Sequence, residues 1–220
     1  MELPGERTRL RRLPEKARYD EATLHAVLDE APFVHVCATV DGLASALATL
    51  HVREASSLYL HGSQSNALLR AALAQERAVA TATIYDGLRL ARSGFESSVA
   101  YRSVVAIGPC REVDDLDEKR RVLDLLVDHA LPGRASEVRP ATERELRLTL
   151  VVALAIVEAS VKVSEGPTDD DEDDLALEVW GGLVPARLVY DAPVGDGRGA
   201  MATGAVPLPA SLRRLGATRD

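Results

Sequence analysis

Residues 33–63 read FVHVCATVDGLASALATLHVREASSLYLHGS. Polar and apolar residues alternate from Phe33 to Val40, the period of a strand with one buried face. Asp41-Gly42 follows, a pair suited to a two-residue hairpin turn. A second strand pattern, LASALATLHV, runs on from Leu43, and SSLYLHG gives a third ending at Gly62. Strand signals separated only by turns point to antiparallel pairing.

The same grammar recurs downstream. AVATATIYDGLRLARS (residues 78–93) reads as a second hairpin turned at Asp86-Gly87, and SVAYRSVVAIGPCREV as a long strand bent at Gly108-Pro109. Helices are fewer. Asp20 is placed to cap one whose stripe is Leu24, Val27 and Leu28, with Pro32 beyond its end. SNALLRAALAQE has helical spacing, as does LDEKRRVLDLLVDHAL, with Val122, Leu125, Leu126 and His129 on one side. Thr142 and Glu145 form a capping-box pattern, after which a strand is expected from about Leu148. Six strand signals, two Asp-Gly turns and three firm helices fit an α+β fold, a six-stranded antiparallel barrel with peripheral helices. Repeated βαβ units are absent, which argues against a doubly wound sheet.

Three segments are expected: a basic arm over residues 1–19, one domain over 20–190, and a Gly/Pro-rich tail over 191–220 with little fixed structure beyond local docking. The 220 residues carry a net charge of -8 and a pI near 5.2, a poor surface for nucleic acid. The longest apolar run, Leu148–Val157, is about half a membrane span, and no secretion signal is visible. A cytoplasmic protein without membrane or nucleic-acid partners is expected. Cys37 and Cys110 lie in apolar strand-like stretches and read as free thiols.

Chemistry concentrates at few places. LYLHGSQSN puts His61, Gly62, Ser63, Ser65 and Asn66 where a strand hands over to a helix. Unpaired amides at a helix start attract anions, and Gly62 would allow close approach. Capping of the helix by Ser63 or Ser65 explains the same pattern without a ligand. GLRLARSGFESSVAYRSV holds Arg92, Ser93 and Arg102, which suit either ligand contact or strand-end ion pairs. Lys162 ends an apolar strand, and Trp180 is the single tryptophan. The carboxylates at 169–174 lack calcium-loop spacing and read as a hydrated turn, so no metal is expected. His25, His35, His51 and His129 share no ligand spacing and read as surface or half-buried residues.

Taken in order, RRLPEKARYD, FVHVCATVDG, LYLHGS, ARSGFESSVAYRSVV, the downstream LPGR, EASVKV and VWGGLVP resemble the pyridoxamine 5'-phosphate oxidase-like split-barrel superfamily. The branch they look like is that of the flavin-nucleotide-binding proteins related to nitroimidazole resistance (Nim). The resemblance covers about residues 11–190. It implies a homodimer with FMN at the subunit seam, its phosphate near His61–Asn66 and its flavin or ribityl chain near Arg92 and Ser93, with Arg102, Lys162 and Trp180 also at the site. It implies an FMN-dependent oxidoreductase acting on a small organic substrate such as a nitro compound, with His61 as the best-placed catalytic group. The alternative is a non-catalytic flavin binder or a flavin-less binder of a small ligand. The chain departs from the family pattern at Ala67, where a cation is expected nearby, and at Glu96, Ser97, Ala100 and Ser164.

Overall fold

A computed structural model describes residues 3–199, 201 and 206–217. The chain enters through β1 (Ala17–Arg18) and α1 (Glu21–Glu30), then runs β2 (Val34–Val40), β3 (Leu43–Thr49), β4 (His51–Glu54) and β5 (Ser57–Ser63) into α2 (Ala67–Ala74). Two long strands, β6 (Ala78–Leu90) and β7 (Ser98–Gly108), lead to β8 (Cys110–Glu112) and α3 (Leu116–Ala130). After α4 (Glu143–Leu148) come β9 (Thr149–Ala155), β10 (Glu158–Ser164), β11 (Gly182–Pro185) and α5 (Ala210–Ala217).

Every strand pair is antiparallel. The larger sheet has the order β1-β10-β7-β6-β2-β3, with β11 added to β6; the smaller is β4-β5-β9-β8. This is the expected α+β split barrel with peripheral helices, its strands divided between two sheets that do not close. Alternation decides the core. Val34, Val36, Ala80, Ala82 and Val104 face Leu58, Leu60, Leu150 and Leu154 across the barrel, and Leu24, Val27, Leu28 and Leu69 from the helices seal it. The other side of β5 and β9 buries Tyr59, Val151 and Ala153 against Val122 and Leu126 of α3.

The local chemistry accounts for most element ends. Asp20 accepts from the Thr23 amide, and Thr142 and Glu145 complete their capping box before the chain becomes β9. Asp41 and Gly42 hold φ of 49° and 78°, as the hairpin turn requires. Gly108 is fixed by crowding: a Cβ there would lie 1.6 Å from the Ala155 carbonyl oxygen.

Four readings need correction. Asp86-Gly87 does not turn a hairpin; β6 runs straight through it with a bulge between Tyr85 and Gly87. Gly87 has φ of 148° and lies under β11, where a Cβ would meet the Val184 carbonyl oxygen at 2.3 Å. Asn66, not Ser63 or Ser65, caps α2, its Oδ1 accepting from the Leu69 amide at 3.0 Å. His51 is fully buried rather than at the surface or half-buried. The described part of the tail contains α5, where Ser211 donates to the Glu137 carboxylate; residues 200, 202–205 and 218–220 of that expected tail, and 1–2 of the arm, lie outside the described residues. The arm packs on β10: Thr8 donates to the Ala159 carbonyl at 3.1 Å and Arg7 pairs with Glu158 at 2.8 Å.

Candidate functional site

The expected site residues fall into three groups. The first is the turn from β5 into α2. Leu58 and Leu60 point into the barrel, so His61 follows Tyr59 to the other side. His61 pairs with Val151, Gly62 with Leu150 and Ser63 with Thr149. The His61 ring is half-buried and its Nδ1 is enclosed without a hydrogen-bond partner. Burial pushes its pKa down, so the ring is held neutral. Gly62 leaves room for the Asn66 side chain, since a Cβ would sit 3.0 Å from Asn66 Nδ2. The Ser63 and Ser65 hydroxyls lie 3.3 Å apart. One cation stands in this turn's first helical loop, Arg70, and it is taken up by the Gln64 carbonyl at 3.1 Å and Glu112 at 2.5 Å. Lys119 approaches from α3, buried, its Nζ donating to the Thr149 carbonyl at 3.1 Å.

The second group lies at the far end of the β6–β7 hairpin. Arg92 donates from its backbone N (2.6 Å) and Nη1 (3.0 Å) to Asp170, and Thr168 donates to the same carboxylate at 2.7 Å. The Asp170 side chain is only 4% exposed. The acidic run is therefore not a fully hydrated turn. Its first residues supply counter-ions: Asp170 to Arg92, and Asp169 to Arg89 (3.3 Å) and Lys16 (3.8 Å). The Arg92 amide holds the Asp170 pKa below the usual carboxylate range. Ser93 accepts from the Glu96 amide and so shapes the turn, while Ser97 bridges Ala91 and Ser93. Trp180 is 64% exposed and leans over Gly182, and Gly181 backs onto the Arg92 guanidinium.

The third group is on and beside the larger sheet. Lys162 pairs with Ser103 and Ala17, and its Nζ sits 5.5 Å above the Tyr101 ring. Arg102 turns to the opposite face, into a cleft of about 690 Å³ bordered by Glu30, Pro32, Thr83, Tyr85, Asp86 and Arg187. There Arg102 makes bidentate bonds to Asp86 (2.9 and 2.8 Å) and bonds Glu30 at 2.7 Å, which raises its pKa further.

Within one chain these groups do not converge. Arg92 follows Leu90, seven residues along β6 from Thr83, the partner of the Lys162 row, which is roughly 20 Å of strand. Sequence reasoning missed Arg89, buried with Nε unpartnered, and the carboxylates that neutralise Arg92 and Arg102. An arginine inside an alternating strand pattern was the available signal, because a buried guanidinium requires acids from elsewhere.

The sequence pattern of the pyridoxamine 5'-phosphate oxidase family matches residues 20–163. The chain belongs to that family. No curated protein matches the chain. Among solved structures of the family fold, a flavocytochrome from Azotobacter vinelandii shares 34% identity and a TM-score of 0.89, over 97% of this chain and 98% of its own. A protein from Mycobacterium smegmatis, described as binding FAD and haem, shares 38% identity with a TM-score of 0.84, over 91% and 97% of the two chains. A proposed 5-nitroimidazole antibiotic resistance protein from Bacteroides thetaiotaomicron matches at 18% identity and TM-score 0.58, over 67% of this chain and 86% of its own, a likeness of fold. That third structure covers much less of the chain, whereas the first two extend along nearly its whole length.

Proposed function

We propose that this chain is a flavin-binding redox protein that also carries haem, working as a pair of identical chains. The observation that carries this reading is the end-to-end similarity to two proteins described as a flavocytochrome and as an FAD- and haem-binding protein. The flavin expected from the sequence is FMN; the relative sharing 38% identity is described with FAD, and FAD is the form we propose here.

Several features of the chain support a flavin at a seam between copies. The outer face of the larger sheet leaves Tyr85, Leu88 and Val105 between 37% and 50% exposed, an apolar surface suited to burial against a second copy. Arg92 and Arg102 are occupied by carboxylates, so they serve as structural ties rather than phosphate ligands. Lys162 has no carboxylate partner among the described residues and is the sheet cation left for a phosphate. The α2 amides and the Ser63 and Ser65 hydroxyls supply neutral donors at the β5–α2 turn. In this arrangement the turn orients the phosphate, Lys162 balances charge, and the paired sheets exclude water from the ring. Flavin and haem supply the electron chemistry, and the protein sets their spacing and surroundings. The activity we propose is an oxidoreductase passing electrons to a small acceptor; a non-catalytic flavin carrier is the alternative.

The test is the absorption spectrum of the purified protein with mass identification of the released flavin. Bands near ~450 nm from flavin, together with a haem Soret band, and a released mass of FAD are expected. Protein that stays colourless after incubation with FAD, FMN and haemin would overturn the proposal.

A further inference from the structure

Resting on the redox reading above, we infer that the basic arm over residues 1–19 is the docking surface for a small acidic electron-carrier protein. The arm holds six Arg or Lys residues against three Glu, a net charge of +3, so the remainder of the chain carries -11. An acidic partner is repelled by the body of the molecule and drawn to the arm, which fixes both where it lands and how it is turned. Half of the arm's cations are already paired: Arg7 with Glu158, Lys16 with Asp169 and Arg18 with Glu165. The other half are not. Arg9, Arg11 and Arg12 are exposed, and their side chains make no ion pair or hydrogen bond among the described residues.

Specific contacts hold the arm against the sheet. Thr8 is buried, its hydroxyl donating to the Ala159 carbonyl and accepting from the Gly5 amide, both at 3.1 Å. Gly5 lies so close to β10 that a Cβ there would sit 2.3 Å from Glu158 Oε2. The Leu10 amide donates to the Tyr19 hydroxyl at 3.0 Å, and β1 then pairs with β10. With Thr8 turned inward, Glu6, Arg7, Arg9 and Arg11 border an open groove of about 500 Å³. Arg7 is taken by Glu158 and Glu6 offsets one charge, so Arg9 and Arg11 leave the groove positive. Arg12 and exposed Leu13 follow directly, an apolar point beside the cations. A small, exposed surface lined by charge suits a brief encounter, the class to which redox complexes belong. At the arm's far end Ala17 stands opposite Lys162, the cation assigned above to the flavin phosphate, so a docked carrier lies beside the strand that serves the cofactor.

The experiment measures binding kinetics of the purified full chain with an acidic ferredoxin, using a basic cytochrome c as the control of opposite charge, at about 20 and about 200 mM salt. Flavin and haem content are measured in the same preparations, and circular dichroism melting checks that each variant folds. The wild type should bind the ferredoxin, with an association rate that falls roughly tenfold at the higher salt. Arg9→Glu with Arg11→Glu should lower that rate by roughly tenfold at low salt, with the melting temperature and cofactor content unchanged. Arg144→Glu with Arg198→Glu makes the same change in net charge at exposed positions off the arm and should bind nearly as the wild type does. No binding of ferredoxin by a chain that holds its cofactors, an equal loss in the two double variants, or preference of the arm for vesicles of phosphatidylserine overturns the docking assignment and leaves the redox reading intact. Ferredoxin binding by a chain that takes up neither flavin nor haem overturns the redox reading, and the electron-carrier role of the arm with it.

Discussion

His51 and His129 turn Nε2 toward the carboxyl end of α1, where the chain leaves the helix before Pro32 and the last carbonyls lack helical partners. Their rings lie 4.8 Å apart. Burial pushes the His51 pKa down to about 4. The unfolded chain binds this proton near the ordinary 6.5, so between those values it holds more protons than the folded chain. Stability therefore falls as pH drops from about 6.5 toward about 4, by up to ~3 kcal/mol from this residue. Urea unfolding at stepped pH should show the slope in the wild type and a flatter one in His51→Gln; equal slopes would contradict the account. Asn66→Ala, removing the α2 cap, should cost about 1 kcal/mol in the same assay. The sequence showed a histidine after a strand and a polar turn before a helix. It did not show which oxygen caps, because Ser63, Ser65 and Asn66 are equivalent until the fold places them.

At the level of elements, the strands were legible wherever alternation was clean, as in β2, or a turn had one use, as at Asp41-Gly42. Asp86-Gly87 misled because the dipeptide permits a hairpin without enforcing it. The long-range partner β11, far along the chain (Gly182 pairing with Leu90, Pro185 with Gly87), makes a bulged, continuous strand the better solution. The acidic run misled in another way: charge density suggested hydration, yet buried Arg89 and half-buried Arg92 need counter-ions and draw Asp169 and Asp170 inward. Gly108 gives the sharpest element-level prediction. Gly108→Ala forces a methyl into the Ala155 carbonyl between β7 and β9, and should destabilise by roughly 3 kcal/mol in chemical denaturation. Glycine at 94, where a Cβ would meet nothing within 4 Å, should accept alanine with little change.

For the whole molecule, the split barrel and its family were readable from ordered motifs, but the site was not, because its residues are dispersed over one chain. His61 lies on the smaller sheet and Arg92 just beyond β6 of the larger one, and the groups named from the sequence could share a ligand only if a second copy brings them together. Val105 tests that idea from the centre of the exposed sheet face, where it is 37% exposed between Thr81 and Ser160. Val105→Arg should shift the protein toward monomer in sedimentation and lower bound flavin together with it. Retention of full flavin by a monomeric variant would place the cofactor within one chain. The most direct measurement is native mass spectrometry of the purified protein. The account predicts a particle of two chains carrying two FAD and two haem groups. A single chain without either cofactor, under conditions where both are supplied, would contradict it.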